Sequence, residues 1–468
     1  MGALRGMAAF GCEVLARTAH ELTLFAATAF LLGGASDTVI DLIWIVRGIW
    51  RRGFIFQRYK RADATVLAVP RNAGRIVLFV PAWDESAVIG AMLGHAVDTL
   101  SGADWVIYVG VYPNDPATID AVARVQSPRI RMVIGPRDGP STKADCLNAL
   151  WQQMLADEIR ENIRAKAIVL HDAEDVVHAA EPRVFDCLIE RFDLVQLPVL
   201  PLVDPVSRWV SGHYIDEFAT HHSKTIVARE AIGAGLPSAG VGCAFSRTML
   251  GRIAEGRDGP FDAASLTEDY ELGLRIRELG GRSAFVRLPE SPDGPLVCVR
   301  AHFPAALPDA VTQKSRWIAG IALSGWDRLG WQGGIAECWM RVNDRRAVFA
   351  ALVLLAAYAA LALNVVTMLL DLVVSGSIGA QETPAFSTLL LLCGILLVWR
   401  LALRAVIVAR LYGWREGLRS IPRAFFANII DMMAARRAVG VYLSSRRDGV
   451  VRWDKTRHDF PADPKSAR

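Results

Sequence analysis

Three long apolar runs limit what this chain of 468 residues can fold into. They cover about residues 22–45, 347–374 and 386–411. Each exceeds the roughly 20 residues that a helix needs to cross the hydrocarbon core of a bilayer. The composition agrees, since 52% of the residues are hydrophobic and the mean hydropathy is +0.28. We therefore expect three membrane-spanning helices. The first run is too long for a cleaved signal peptide and has no clear cleavage site.

The distribution of basic residues predicts how these helices are oriented. Basic residues follow the first run at once and mark the far end of the third, whereas residues 375–385 contain no Lys or Arg. By the positive-inside rule, the long segment after the first run and the C-terminal tail are cytoplasmic, and the N-terminus is outside. Asp37 and Asp41 lie near one end of the first run. Because carboxylates inside a bilayer are costly, we expect them at the interface or against other helices.

The segment between the first two apolar runs has an α/β rhythm. Apolar strand patterns occupy residues 75–82, 105–111, 130–134 and 167–170. Helical patterns lie between them at residues 84–100, 115–125 and 141–159. Strands that alternate with helices predict a mainly parallel sheet.

The chain therefore divides into five predicted parts. They are a membrane segment (1–63), a cytoplasmic α/β domain (64–310), an interfacial segment (311–346), two spanning helices (347–411) and a cytoplasmic tail (412–468). Tail residues 413–445 alternate apolar and basic side chains, which is typical of a helix lying on membrane lipids.

Composition excludes several other classes of protein. The seven cysteines are scattered, odd in number and never spaced as CxxC, so neither a disulfide framework nor a zinc site is indicated. The net charge is only +4, and no block of basic residues with interleaved aromatics occurs. We therefore expect no nucleic-acid partner.

The strand at residues 167–170 ends in the acidic string His171-Asp172-Ala173-Glu174-Asp175. Ligands of α/β sheets bind outside the carboxyl ends of the strands. Hard oxygen ligands in that place suit Mg²⁺ or Mn²⁺ shared with a substrate diphosphate. The alternative is a solvated turn, which does not explain why a buried strand delivers the carboxylates to the sheet edge.

Two further strand ends have a pattern that fits a nucleotide. Pro81, Asp84 and Glu85 follow the first strand, where a turn would hold a base and ribose, although Asp84 could instead cap a helix. Asp115 follows the second strand. Residues 135–148 form a Gly/Pro loop that runs into a helix start, where backbone N–H groups and Lys143 favour phosphate. A tight connecting loop is the alternative.

The remaining chemistry lies in two short strings. Thr267-Glu268-Asp269 opens a helical pattern, so Asp269 could be a dipole partner or a general base for an acceptor hydroxyl. In the string QKSRW (313–317), Trp317 could stack on a sugar and Arg316 could face a diphosphate. Arg247 is a weaker candidate for a phosphate or acceptor contact. His221 and His222 are expected to be polar surface or groove residues and not metal ligands.

In this order, the strings PAWDE, YPND, GPSTKADCLN, HDAED, TED and QKSRW resemble the inverting family 2 glycosyltransferases with a GT-A fold. QKSRW fits the QxxRW signature of membrane-bound members such as cellulose and hyaluronan synthases. The strings AGVGCAFSR, QKSRWIAGIALSGW and WDKTRHDFP, with the three-span layout, resemble the phage-adsorption-protein-B family of bacterial inner-membrane glycosyltransferases. The resemblance covers nearly the whole chain.

The resemblance implies a role for each of these positions. Asp84 and Asp115 would hold the uridine, and Lys143 would lie near the diphosphate. Asp172 and Glu174 match the metal-binding DxD motif, but Glu replaces its second Asp and Asp175 stands beside it, so the second metal contact stays open. The remaining roles are a base at Asp269, with Glu268 beside it, and acceptor and diphosphate contacts at Gln313, Arg316 and Trp317.

The function that follows is metal-dependent, inverting transfer of a sugar from a UDP-sugar to a growing polysaccharide. The reaction would occur at the cytoplasmic face of the bacterial inner membrane. The alternatives are transfer of one sugar to a membrane lipid, or a non-catalytic role in a phage-adsorption or secretion complex. Because three spans are few for a polymer channel, we expect an export or outer-membrane partner. Since the sequence stops at Arg468, we expect no cyclic-dinucleotide-binding domain.

Overall fold

A mixed sheet forms the centre of the computed structural model, which describes residues 2–374, 383–448 and 459–464. The strands are β1 (Arg75–Pro81), β2 (Trp105–Val111), β3 (Ile130–Ile134), β4 (Ala165–Leu170), β5 (Leu194–Gln196), β6 (Cys243–Ser246) and β7 (Ser283–Phe285). Their order across the sheet is β3-β2-β1-β4-β6-β5-β7. The first four are parallel, as predicted, whereas β6 runs antiparallel to both β4 and β5.

Sixteen α-helices surround and extend this sheet in the described ranges. They are α1 (Gly2–Trp50), α2 (Phe56–Arg58), α3 (Ile89–Thr99), α4 (Pro116–Ala123), α5 (Lys143–Glu161), α6 (Glu181–Leu188), α7 (Val210–Thr220), α8 (Ile226–Ala231), α9 (Arg247–Ala254), α10 (Glu268–Glu278), α11 (Leu307–Ile318), α12 (Gly325–Leu329), α13 (Ile335–Arg345), α14 (Ala347–Val374), α15 (Pro384–Tyr412) and α16 (Trp414–Asp448). Short π-helices occupy Arg51–Ile55, His221–Thr225 and Ala319–Ser324, and a 3₁₀ turn occupies Ala64–Val66.

The sheet is covered on both faces, which explains its continuous apolar strands. Alternate residues of a strand point to opposite faces. Accordingly, Ile76, Leu78 and Val80 of β1 belong to one buried cluster, and Val77 and Phe79 belong to the other. Because β1, β2 and β4 are parallel neighbours, the segments that follow them emerge at the same edge of the sheet.

One predicted helix begins later than expected. The helix predicted from residue 84 is α3, which begins at Ile89, and Val88 occupies its N-cap position. Asp84 lies in the preceding turn with a positive φ of 52°, so it does not cap this helix. The capping role falls to Asp115, whose side chain accepts a hydrogen bond from the Thr118 N–H at the start of α4.

Three helices are long and apolar enough to cross a membrane, in agreement with the predicted number. The candidate spans are Phe10–Arg58, Ala347–Leu372 and Pro384–Tyr412. The first is longer than predicted, since α1 contains 49 residues and extends for about 74 Å at 1.5 Å per residue. Most of the basic-free loop predicted between the second and third spans lies outside the described residues.

The two carboxylates of the first span lie against partners, as expected. Arg346 contacts Asp37 at 2.6 Å, and Lys224 contacts Asp41 at 2.5 Å. The indole N–H of Trp399 also donates to Asp41, at 2.9 Å. Lys224 belongs to a π-helix of the α/β domain, so this pair ties that domain to α1.

The C-terminal helix α16 packs against α11, α14 and α15. Two buried basic residues fix it. Lys314 of α11 contacts Asp431 at 2.5 Å, and Arg423 contacts Asp216 of α7 at 2.8 Å. The string WDKTRHDFP lies largely outside the described residues, but Phe460 within it packs against the core beside the ring of His95.

Candidate active site

A cleft lies at the sheet edge where β1 and β4 end, and its other walls come from the starts of α5 and α10 and from α11. It encloses about 1360 Å³ of empty space, part of it open to solvent. Most of the predicted site residues line it together: Pro81, Glu85, Lys143, Asp172, Glu174, Asp175, Glu268, Asp269, Gln313, Arg316 and Trp317. Five strings spread over more than 230 residues of sequence therefore meet in one place.

The turn after β4 is held by a buried histidine. The His171 ring contacts Asp175 through Nδ1 at 2.9 Å and Glu181 through Nε2 at 3.0 Å. Burial alone would lower the pKa of His171, but the two carboxylates outweigh it and raise the pKa to about 10. Both ring nitrogens are then protonated and donate. The same Asp175 oxygen accepts from the Asp172 N–H at 3.0 Å, so Asp175 orients the residue that carries the neighbouring carboxylate.

Lys143 brings a positive charge to the acidic end of β4. A capping box between Thr142 and Asp145 starts α5 and fixes the first turn that carries Lys143. The ammonium contacts Asp172 Oδ1 at 2.5 Å. Burial lowers the pKa of Lys143, but the carboxylates of Asp172, Glu268 and Asp269 raise it more, so the pKa lies above its ordinary value. One cation therefore faces three carboxylates.

The Gly/Pro loop before α5 is fastened to the end of β2. The Asn114 side chain donates to the Gly139 carbonyl and accepts from the Gly139 N–H, both at 2.8 Å. The Trp83 ring lies so close to Gly139 that a Cβ there would meet it at 2.3 Å. Trp83 also packs edge-on against Tyr112, with ring centroids 5.0 Å apart. Trp83 lines the cleft, although only its place in PAWDE marks it in the sequence.

Asp84 and Asp115 are absent from the described lining of the cleft and lie beside it. The Asp84 N–H donates to Asp115 Oδ2 at 2.6 Å, and the Glu85 N–H donates to Thr118 Oγ1 at 3.0 Å. Asp115 thus joins the turn after β1 to the start of α4. Its buried carboxylate positions the turn that carries Glu85 into the cleft.

The start of α10 places two adjacent carboxylates, Glu268 and Asp269, in the cleft. Burial, followed by repulsion from Asp269, raises the pKa of Glu268 to about 7. Burial also raises the pKa of Asp269, although Lys143 opposes the shift. The backbone of Gly240 (φ 75°) approaches so closely that a Cβ there would meet Asp269 Oδ2 at 2.1 Å. Gly240 therefore leaves the space that this carboxylate occupies.

A further wall of the cleft is α11, which carries Gln313, Arg316 and Trp317. The Gln313 Oε1 atom is buried and has no hydrogen-bond partner among the described residues. Trp317 packs against a cluster of aromatic rings that extends the cleft with an apolar surface: Tyr214, Phe218 and Phe303. No sequence signal separated Phe218 and Phe303 from ordinary core residues, because their role depends on the fold.

The donor set fits a divalent cation shared with a substrate. Within the described ranges, no three Asp, Glu, His or Cys side chains are grouped closely enough to hold a metal ion by themselves. Mg²⁺ and related ions commonly use one or two carboxylates together with substrate phosphates. Asp172, Glu174 and Asp175 all line the cleft, but the Asp175 carboxylate is held by His171.

Two minor predictions fail. Arg247 lies away from the cleft, because its guanidinium contacts Glu158 at 2.9 Å and lies over the Trp151 ring. It therefore fixes α9 to α5 and contacts neither a phosphate nor an acceptor site. His222 is buried, not a surface residue, and its Nδ1 accepts from the Val199 N–H at 2.8 Å.

The fold and this cleft are those of a glycosyltransferase of the GT-A type. Residues 73–320 match the family described as "Glycosyltransferase like family 2", and the chain belongs to that family. Among solved structures, it is similar to the mannosyltransferase PcManGT from Pyrobaculum calidifontis, whose structure contains GDP-Man and Mn²⁺. The TM-score is 0.50 with 15% identity, over 88% of this chain and 99% of that one, so the likeness concerns the fold.

Among curated proteins, the chain is similar to bacteriophage adsorption protein B of Escherichia coli strain K12. Bacteriophage N4 adsorption protein B of Escherichia coli O157:H7 matches equally well. The identity is 36% over 98% of this chain in both cases. The chain spans 64% of the length of these relatives.

Proposed function

We propose that the protein transfers a sugar from a UDP-sugar to an acceptor hydroxyl with inversion at the anomeric carbon. The observation that carries the proposal is the meeting of three groups in one cleft. These are the carboxylates after β4, the acidic pair at the start of α10 and the QxxRW residues on α11. The carboxylates after β4 would lie near the leaving diphosphate, the acidic pair would supply the general base, and α11 would bind the acceptor.

The donor would bind at the sheet edge. Pro81, Asp84, Glu85 and Asp115 would form the uridine side, supported by the hydrogen bond that joins the turns after β1 and β2. Lys143 would contact the diphosphate, since its ammonium lies in the cleft beside Asp172. The ring of Trp83 supplies an apolar wall next to this position.

Asp172 would hold a divalent cation, Mg²⁺ or Mn²⁺, with Glu174 as the second carboxylate. When bound, such a cation neutralises charge on the leaving diphosphate. Asp175 would serve as a positioning residue for Asp172, because its own carboxylate is held by His171 and by the Asp172 N–H. This assignment selects between the two neighbours that the sequence left open.

Asp269 would act as the general base. It takes the proton from the acceptor hydroxyl, whose oxygen forms a bond to the anomeric carbon while the bond to UDP breaks on the opposite face. A raised pKa suits this role, because a base works best when its pKa is near the working pH. Glu268 would keep the pKa of the pair high by repulsion.

The acceptor would lie along α11, with Trp317 against a sugar ring and Gln313 and Arg316 as polar contacts. We propose a growing polysaccharide as the acceptor, with the catalytic domain on the cytoplasmic side of the bacterial inner membrane. Three candidate spans are few for a polymer channel, so an export or outer-membrane partner is part of the proposal. The relatives' link to phage adsorption fits a surface-directed product.

A screen of UDP-sugars tests the proposal. Membranes that contain the protein are incubated with each donor, with Mg²⁺ or Mn²⁺ and with a chelator, and UDP release is measured. We expect metal-dependent release with at least one donor, and long products on sizing. If the products instead carry one added sugar on a lipid, the acceptor is a membrane lipid and not a polysaccharide. Absence of UDP release with every donor would favour a non-catalytic membrane component.

A further inference from the structure

The end of α1 is followed by a basic segment that the proposed reaction does not use. It contains Arg47, Arg51, Arg52, Arg58, Lys60 and Arg61. Arg47 contacts Glu230 at 2.8 Å. None of the other five has an ion pair with a carboxylate in the part of the chain that the structure describes. Excess positive charge beside a spanning helix is a typical feature of contacts with anionic lipids.

Arg287, two residues after β7, is half-buried near this segment. Its Nη1 donates to the Ser223 carbonyl at 3.3 Å, and its Nε is buried without a hydrogen-bond partner among the described residues. Burial, followed by the positive charge of Arg61, lowers its pKa to about 10. Arg287 therefore remains cationic at neutral pH, and the nearby charged group, Arg61, is also positive.

Three fully buried arginines show how this chain pairs such a charge. Arg229 contacts Asp344, Arg341 contacts Glu278, and Arg423 contacts Asp216, each at 2.8 Å. A buried guanidinium without a counter-ion is costly, because its desolvation is not compensated. Arg287 has no such carboxylate among the described residues. An anion from outside the chain would supply the missing charge.

The position of Arg287 is fixed relative to the first span. Its partner Ser223 precedes Lys224, which contacts Asp41 of α1. Glu230 joins the same regions, since it accepts from Arg47 of α1 and from the Phe285 N–H of β7. Arg287 therefore lies beside the end of α1, where a spanning helix would leave the bilayer.

Aromatic side chains flank the same place. Trp50, Phe54 and Tyr59 are each more than half exposed, at 53%, 67% and 64%. Exposed aromatics next to basic residues are typical of the membrane–water interface. This favours a lipid over a soluble anion as the source of the charge.

We propose that Arg61 and Arg287, with Arg51 beside them, bind the phosphate of an anionic lipid headgroup at the end of α1. The guanidinium groups of Arg287 and Arg61 donate to the phosphate oxygens. The lipid closes the junction between α1 and the edge strand β7, so it stabilises the docking of the catalytic domain on the first span.

The test measures thermal unfolding of the full chain in nanodiscs. Discs of phosphatidylcholine are compared with discs that contain increasing phosphatidylglycerol. The variants are Arg287→Gln and the more exposed Arg61→Gln, and the control is Arg124→Gln, which removes an exposed arginine at the end of α4. We expect the midpoint of wild type and Arg124→Gln to rise with phosphatidylglycerol, and both site variants to lose most of that rise.

Two results would overturn the proposal. One is an equal rise in wild type and in a folded Arg61→Gln or Arg287→Gln protein, which would exclude these residues from the lipid site. The other is an equal rise on addition of inorganic phosphate to phosphatidylcholine discs, which would identify a free anion as the ligand. If Arg287→Gln does not fold, the Arg61→Gln comparison still decides the first point.

Discussion

Two buried groups of charges differ in how they are paired. Where α7, α11 and α16 meet, Lys314 contacts Glu217 at 2.8 Å and Asp431 at 2.5 Å. In the cleft, Lys143 contacts Asp172, whereas neither Glu268 nor Asp269 has an ion pair among the described residues. The first group holds helices together. The second leaves Glu268 and Asp269 in the cleft without a contacting cation from the described residues.

The pKa values follow this difference. Burial would raise the pKa of Glu217, but contact with Lys314 outweighs it and the pKa falls below its ordinary value. Burial raises the pKa of Asp269 and is not overcome by Lys143. Asp216 is intermediate, because burial raises its pKa to about 7 despite Arg423 and one of its oxygens lacks a partner among the described residues. A buried carboxylate therefore keeps a low pKa only where its contacting cation outweighs the effect of burial, as at Glu217 and not at Asp216.

The largest expected effect concerns Asp269, which has no ion pair among the described residues. Asp269→Asn keeps the shape of the side chain but removes the base, so we expect UDP release to fall by about 10²- to 10⁴-fold. The unfolding midpoint should stay near that of wild type, because no ion pair is lost. Asp120→Asn, at an exposed position of α4, is the matched control. Full turnover by a folded Asp269→Asn protein would exclude Asp269 as the base.

The next largest effect concerns the free energy of unfolding and the ion pairs that join α7 and α16. Arg423 is fully buried and contacts Asp216 and Glu416, both at 2.8 Å. Arg423→Gln leaves the buried Asp216 without a contacting cation, which should cost about 3–5 kcal/mol of unfolding free energy. Glu416 keeps its contact with Arg419. Arg446→Gln, at an exposed pair 3.9 Å from Asp327, should cost about 0–1 kcal/mol. Equal losses in denaturant titrations of the two variants would contradict the distinction.

A smaller effect is expected at the turn after β4. Asp175→Asn weakens the hold on His171 and on the Asp172 N–H, and loss of such supporting contacts typically costs about 10- to 100-fold in metal affinity or activity. Because Asp175 positions Asp172, the metal concentration for half-maximal rate should rise, and Asp175→Glu should recover part of the loss. A loss in maximal rate alone, with unchanged metal dependence, would argue against a positioning role.

The pH profile gives the mildest test. The reaction needs an ionised base, so the rate should fall as pH drops through the raised pKa of the Glu268–Asp269 pair. With Glu268 at about 7, kcat/KM should drop about tenfold at one unit below the apparent pKa of the pair. If the rate falls only near pH 4, the pKa of the pair is not raised, and nearby cations offset burial there as Lys314 does at Glu217.

Local sequence predicted much of this arrangement. The strand patterns located β1 to β4, and because carboxyl ends of parallel strands share an edge, the meeting of their acidic strings could be expected. Apolar length gave the three candidate spans. The pairing of side chains could not be predicted, because the fold brings the partners together. Arg247 contacts Glu158, which lies 89 positions earlier in the sequence, and His171 contacts Glu181, ten positions later. Asp84 was misjudged as a possible cap because a pattern does not reveal a positive φ.

Lys314 lies inside the QKSRW string, yet both of its ion pairs lead away from the cleft, to α7 and α16. The helix α16 follows α15 after a single residue, Gly413. The level of α11 is therefore set by the third candidate span and not by the sheet. Under the proposed function, an acceptor of any length would meet Asp269 at a position fixed by the third candidate span, so the acceptor would have to advance after each transfer.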